Sequence, residues 1–341
     1  MTDLPHPGSL SSGDTLDTLF APLRQAGRIL VAVSGGPDSI ALMHLLARWN
    51  PNTPRPSILI ATVDHRLRSE SADEAAFVAR EAASLGFPHR TLTWDGPKPE
   101  TGLQEAAREA RYRLLIQCAR EEGATHLLTA HTQDDQAETV LMRMARGSGL
   151  SGLAGMRMDR DRDGIRHVRP LLDCPKEILL KLCRTEGWRF VTDPSNANER
   201  FTRVRWRKLM PALAAEGLTA DRLARLARRV AQAEAALDAK AREIFLNAEP
   251  VSDGKGLHMK AKFLAEEPFE IALRILSQAL SEAGLGLDNS RLHRLESCTQ
   301  RLQSALAAGV GLRLTIAGAL VQLDRAGTLS IRPEPPRRRG R

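Results

Sequence analysis

Six consecutive residues, Ser34-Gly35-Gly36-Pro37-Asp38-Ser39, carry the clearest chemistry in the sequence. They end an apolar run, Ile29-Leu30-Val31-Ala32-Val33, and precede apolar residues at helical spacing: Ile40, Leu42, Met43, Leu45 and Leu46. A buried strand, a glycine turn and a helix start together make an oxyanion site. Paired glycines let the backbone approach an anion with no Cβ in the way. The first N–H groups of a helix have no partners of their own and can be met by phosphate oxygens. Neither the Gly-Lys-Ser/Thr of a Walker loop nor the spacing of a dinucleotide fingerprint is present. The plain alternative is a strand-to-helix turn with a Ser or Asp cap.

Further groups could work beside such a site. Asp64-His65-Arg66 falls where a second strand should end, either facing a ligand or serving as cap and surface. Arg108, Arg111 and Tyr112 lie on neighbouring helical turns, where two arginines either clamp a triphosphate or form a solvated face. His131, Asp135 and Glu138 recur at i, i+4 and i+7, on one face of a helix start. That face could bind a transition metal, although no further His or Cys pair completes a shell. It could instead hold magnesium on a nucleotide or grip a cationic amine. Asp134 or Asp135 could also simply cap the helix. Thr192-Asp193-Pro194-Ser195-Asn196 is a turn signal. Beyond it Arg203, Arg205 and Arg207 alternate around Trp206, as a contact to RNA phosphates or a basic solvated helix face.

The elements that must position these groups alternate. Strands are expected at Ile29–Val33, Ile58–Val63, His89–Thr93 and His126–Ala130, and helices at Ser39–Trp49, Ala72–Leu85, Leu103–Glu121 and Asp134–Ala145. This is the pattern of an α/β fold with a doubly wound, mostly parallel sheet, whose ligands gather at the carboxyl ends of the strands. The 146–198 stretch is rich in Gly, Arg, Asp and Pro around one helix near Lys176–Glu186, and the basic 201–213 segment ends at Pro211. Helical patterns then fill Thr219–Leu246, Pro268–Ala283 and Ser290–Ala308, before short strands at Leu312–Ile316, Leu320–Leu323 and Leu329–Ile331. We therefore expect an N-terminal extension over 1–26, a catalytic domain over 27–215, and a mostly helical domain ending in a small β-meander over 216–332. A basic tail, 333–341, should be solvated.

At 341 residues two domains are the natural expectation. No apolar stretch approaches a membrane span or a secretory leader, so the cytoplasm is the expected location. Four scattered cysteines fit reduced thiols better than disulfides or a zinc site. A net charge of +8 favours a polyanionic partner. With only 4% aromatic residues, arginine and lysine contacts to phosphates would carry its affinity rather than base stacking.

In chain order, Ser34–Ser39, Val63–Arg68, Leu103–Tyr112, Leu128–Thr139, Arg146–Met156 and Asp193–Asn196 resemble the tRNA(Ile)-lysidine synthases, a family of pyrophosphate-loop ATP pyrophosphatases. The resemblance spans Leu30 to Pro211; beyond that it is architectural. It implies that ATP adenylates C2–O of the wobble cytidine in an isoleucine tRNA with a CAU anticodon. Free L-lysine then displaces AMP to leave lysidine, which reads AUA rather than AUG. Carried over, Ser34, Gly35, Gly36, Pro37, Asp38 and Ser39 would hold the ATP phosphates, with Asp64 and His131 in the nucleotide pocket. Asp38 and Asp135 would be the catalytic carboxylates, Asp38 at the magnesium and Asp135 positioning magnesium or the lysine amine. Arg111 and Arg108 would neutralise the departing pyrophosphate, Glu138 would meet substrate, and Arg203, Arg205 and Arg207 would meet tRNA. Two residues depart from the family pattern: Thr132 stands where a second His is frequent, and Arg66 where a small residue is frequent. A 2-thiolase on the same loop and a non-catalytic ATP sensor are the rival readings, and a homodimer is left open.

Overall fold

The computed structural model describes residues 10, 12–49, 56–192, 202–254, 256–285, 292–316 and 318–334. The Asp193–Asn196 turn and the terminal arginine tail lie outside them. The chain divides into two compact units, Met1–Arg229 and Val230–Arg341.

In the first unit the elements run α1 (Gly13–Leu19), β1 (Arg28–Ala32), α2 (Pro37–Arg48), β2 (Ser57–Asp64), α3 (Ser71–Ser84), β3 (His89–Thr93), α4 (Leu103–Glu121), β4 (His126–Thr129) and α5 (Gln133–Ala145). They continue as α6 (Leu150–Leu153), β5 (Asp159–Arg162), β6 (Ile165–Val168), α7 (Lys176–Thr185), α8 (Thr202–Ala215) and α9 (Ala220–Asn247). The sheet order is β3-β2-β1-β4-β6-β5. All pairings are parallel except the β5–β6 hairpin. Successive residues of β1 serve opposite faces, as the two-residue strand period requires. Ile29 and Val31 join one core with α2 and α7, while Leu30 joins another with α4. The order reverses between β1 and β4, so the carboxyl ends of those two strands frame the crevice where such sheets bind ligands.

Several elements differ from expectation. Within the expected N-terminal extension, Leu16, Phe20 and Leu23 are buried in the same core as β1. The segment expected to stop at Pro211 is helical through it, to Ala215. The hairpin of β5 and β6 was not expected, since Asp159-Arg160-Asp161-Arg162 has no apolar alternation. The units part inside α9 rather than at 215/216. Leu223 and Ala227 pack against Ala137, Val140 and Leu141 of α5, which ties the first turns of α9 to the first unit.

The second unit continues from α9 through β7 (Val251–Ser252), β8 (Leu257–Lys260), α10 (Phe263–Glu266), α11 (Phe269–Glu282), α12 (Leu292–Ala307), β9 (Leu312–Ile316), β10 (Ala319–Leu323) and β11 (Thr328–Pro333). The expected three-strand meander is part of a five-stranded antiparallel sheet, β7-β8-β11-β10-β9. Its apolar face, including Leu257, Met259, Val321 and Ile331, packs with Ile275 and Leu276 of α11 and Leu302 of α12.

Candidate active site

The loop after β1 is built to leave its N–H groups open. Gly35 has φ +85°, a conformation that L side chains rarely adopt, so the backbone rather than the space around it, where an added Cβ would sit in ordinary contact with Val78 and Val191 at 3.4 Å, calls for glycine. Gly36 is the N-cap of α2 and Pro37 follows at its first position, where a missing N–H costs nothing. Ser39 Oγ donates to Gly36 O (2.9 Å) and accepts from Ser34 N (3.2 Å), while Val191 N donates to Gly35 O (2.8 Å). These bonds fix the loop from within and from the chain after α7.

Asp38 sits in the first turn of α2. Its Oδ2 accepts from Lys176 Nζ at 2.6 Å, whereas its buried Oδ1 has no partner among the described residues. Burial raises the carboxyl pKa against the pull of Lys176, and Asp135 and Asp134 raise it further. Lys176 was not singled out in the sequence. Its backbone N also donates to Asp134 Oδ2 (2.8 Å), so one residue bridges the carboxylates that follow β1 and β4. The available signal was electrostatic: a lysine at the start of a helix opposes the helix dipole and needs another reason to be there.

The α5 start divides its acidic residues between structure and chemistry. Thr132 is the N-cap: its Oγ1 accepts from Asp135 N (3.4 Å), and Asp135 Oδ2 accepts from Thr132 N (2.9 Å) in a capping box. Asp134 caps α7 instead of α5. Asp135 therefore keeps one oxygen, Oδ1, that makes no hydrogen bond among the described residues. One turn on, Glu138 is almost fully buried; its Oε1 accepts from Arg207 Nε at 2.8 Å, and its Oε2 has no partner among the described residues. Burial pushes its carboxyl pKa up, Arg207 opposes this, and Asp135 adds to the rise. Arg207 is thus anchored through Nε by Glu138, while its side chain remains exposed. Arg205 is exposed and donates to Thr202 Oγ1 (3.1 Å). Arg203 is half-buried and lies close enough to Arg111 and His131 to act on their charge states.

Arg111 is pushed down in pKa by burial and by Arg108 and Arg203. It stays a cation, as arginine does in proteins. The buried Tyr112 ring carries the guanidinium carbons of Arg162, Arg108 and Arg111 at 3.8, 5.1 and 5.4 Å from its centroid. Arg108 is exposed and Arg111 and Arg162 are half-buried, so three cations crowd one buried ring, and an anion joining them would relieve their mutual repulsion.

At the end of β2, Asp64 Oδ1 accepts from Arg66 N (2.8 Å) and so turns the chain. Arg66 has φ +50°, which explains why a small residue suits that position; here the side chain points to an ion pair with Asp95 (2.8 Å). Asp64 and Arg66 line an open cleft of about 550 Å³ together with Arg68, Ser69 and Ser71. His65 is lowered to a pKa of about 4 by burial first and then by Arg111.

A glycine-turn cradle at the switch point of a doubly wound sheet, with carboxylates and arginines converging on it, defines a pyrophosphate-loop ATP-binding enzyme. Residues 10–213 match the PP-loop domain family. The U34-tRNA thiolase NcsA of Methanococcus maripaludis, determined with its 4Fe-4S cluster, shares the fold at TM-score 0.55 and 16% identity, over 64% of this chain and 78% of that one. Within that class the chain belongs to the tRNA(Ile)-lysidine synthase family. It is 54% identical over 318 residues to the tRNA(Ile)-lysidine synthase of Methylobacterium nodulans, covering 92% of this chain and 93% of the relative. Against the enzyme of the same name from Rhodopseudomonas palustris identity is 49% over 330 residues, 94% of each. No helix among the described residues is long and apolar enough to cross a membrane.

Proposed function

We propose that this chain joins free L-lysine to C2 of the wobble cytidine in an isoleucine tRNA with a CAU anticodon, using ATP. The observation that carries the reading is the pair of carboxylate oxygens without a partner among the described residues, Asp38 Oδ1 and Glu138 Oε2, in a site that also holds a glycine-turn loop and an arginine cluster. Buried acceptors without partners are costly and mark where a cation or donor belongs.

The backbone N–H groups of Gly36, Asp38 and Ser39 take the phosphates, with Arg108 and Arg111 beside them. The C2 oxygen of the base attacks the α-phosphorus as the bond to the β-phosphate breaks, and the arginines stabilise the charge leaving as pyrophosphate. The C2–O bond, formerly to a poor leaving group, now leads to AMP. The lysine amine attacks C2 and AMP departs with the bonding pair. Glu138 holds that amine through Oε2, and its raised pKa suits it to take the proton that the amine releases.

Magnesium fits the same residues. It binds through one or two carboxylates completed by phosphates and water rather than an all-protein cage. Asp38 Oδ1 and Asp135 Oδ1 supply that number, and the described residues contain no group of three or more His, Cys, Asp or Glu suited to a metal ion. Bound there, it would neutralise triphosphate charge.

Thiolation gains no support from the cysteines. All four are buried free thiols, and burial raises each pKa, to about 12 at Cys174 and about 11 at Cys183 and Cys298. A nucleophilic or metal-ligating sulfur needs the opposite.

The test is incubation with magnesium, ATP, labelled lysine and the isoleucine tRNA bearing a CAU anticodon. Label should enter RNA with AMP released in equal amount. ATP binding without RNA labelling would overturn the assignment.

A further inference from the structure

Behind the site, four side chains form a hydrogen-bonded line running from β6 and the turn after it, through β4, to its carboxyl end. Arg169 Nη2 lies 3.1 Å from His167 Nδ1, His167 Nε2 lies 2.9 Å from Thr129 Oγ1, and Thr129 Oγ1 lies 2.8 Å from His131 Nδ1. All four residues are buried.

The direction of every bond follows from the first member. Arginine can only donate, so His167 Nδ1 must accept and the His167 proton sits on Nε2. That N–H donates to Thr129 Oγ1. The hydroxyl has one hydrogen of its own, and among the described residues His131 Nδ1 is its one other hydrogen-bond partner, so Thr129 donates onward. His131 Nδ1 is thereby an acceptor, and its proton is confined to Nε2. Among the described residues Nε2 has no protein partner, and it is not one of the buried polar atoms left unsatisfied. Both rings stay neutral: burial and Arg169 drive His167 to about 2, and burial, Arg169, Arg111, Arg108 and Arg203 drive His131 well below its ordinary range.

We propose that Arg169, His167 and Thr129 are positioning residues that lock His131 as an Nε2–H donor to a phosphoryl oxygen of the bound nucleotide. The inference rests on the ATP-dependent reading above. His131 follows β4, one of the two strands framing the switch point, and its charged neighbours Arg108, Arg111 and Arg203 are all cations, so the group it meets is anionic. A fixed neutral donor adds a hydrogen bond there without a further buried charge. Each bond in the line also polarises the next, which strengthens the terminal donor.

Long-range ¹⁵N–¹H spectra of histidine-labelled protein test this, with His131 assigned by loss of its signals in His131→Gln. Wild type should show His131 with Nδ1 unprotonated and Nε2 protonated at neutral pH, and Nε2 should shift when a non-hydrolysable ATP analogue or inorganic pyrophosphate is added. The analogue alone shifting it would place the α-phosphate at His131; both doing so would place the leaving phosphates there. Thr129→Val should lose the single-tautomer signature and about tenfold in kcat, with tRNA affinity unchanged, and Thr129→Ser should restore both. A wild-type His131 that carries its proton on Nδ1, or an Nε2 indifferent to both ligands, overturns the proposal even if no variant folds. Locked tautomer and ligand shift in a protein that cannot label tRNA would instead sink the functional reading and leave the line intact.

Discussion

The two units treat buried charge in opposite ways. In the second, Arg274 meets Glu234 (3.1 Å), Asp238 (2.5 Å) and Glu270 (2.8 Å), so a nearly buried guanidinium is surrounded by carboxylates. In the first, Asp38 and Glu138 are each paired on one oxygen and, among the described residues, bare on the other. Among the described residues, every buried side-chain nitrogen or oxygen without a partner belongs to the first unit. A closed charge network stabilises and specifies a fold, whereas an open one persists only where something else completes it. The difference separates a structural ion cluster from a binding site without appeal to resemblance.

The comparison can be broken at either end. Asp38→Asn should have the largest effect, lowering lysine transfer roughly 1,000-fold while the circular dichroism spectrum stays that of wild type. Arg274→Met should do the reverse. Removing the guanidinium that three carboxylates share costs roughly 3 kcal/mol, read as a lower denaturant midpoint for the second unit, with ATP affinity of the folded protein unchanged. Glu138→Gln should raise KM for lysine about 100-fold and leave ATP binding intact, as titration calorimetry would show. Equal losses for lysine and ATP would place Glu138 elsewhere in the reaction.

Acidity sharpens the contrast within the first unit. His44 and His65 are both lowered to about 4 by burial foremost, with a neighbouring arginine adding to each shift. Their folded pKa values lie below the unfolded one, so the unfolded chain takes up protons first as pH falls. Stability is full above about 6.5 and is lost progressively toward 4. The melting temperature should drop across that window, and His44→Phe, which keeps a ring stacked on Trp188, should lessen the drop. The smallest effect belongs to Arg205→Ala. It should reduce the slope of log tRNA affinity against log salt by about one, with ATP binding unaffected.

The parallel sheet and the loop were legible because their signals are local. Ile29-Leu30-Val31, short, apolar and closed by glycines, reads as a strand buried on both faces, and Gly35-Gly36-Pro37 as a turn into a helix. The hairpin was hidden by its charged strands, although Asp163-Gly164, with φ +56° and +81°, is the turn dipeptide that announces one. Lys176 and Arg207 could not be assigned from spacing, because their partners Asp38 and Glu138 lie 138 and 69 residues away. The second role of Asp135 was partly visible, since Thr132 three residues earlier is a capping-box spacing.

The most direct measurement is a crystal structure with a non-hydrolysable ATP analogue, magnesium and lysine. The account predicts phosphate oxygens on the N–H groups of Gly36, Asp38 and Ser39, a cation touching Asp38 Oδ1, and the lysine amine within hydrogen-bond reach of Glu138 Oε2. Nucleotide bound elsewhere, with both oxygens still bare, would contradict it.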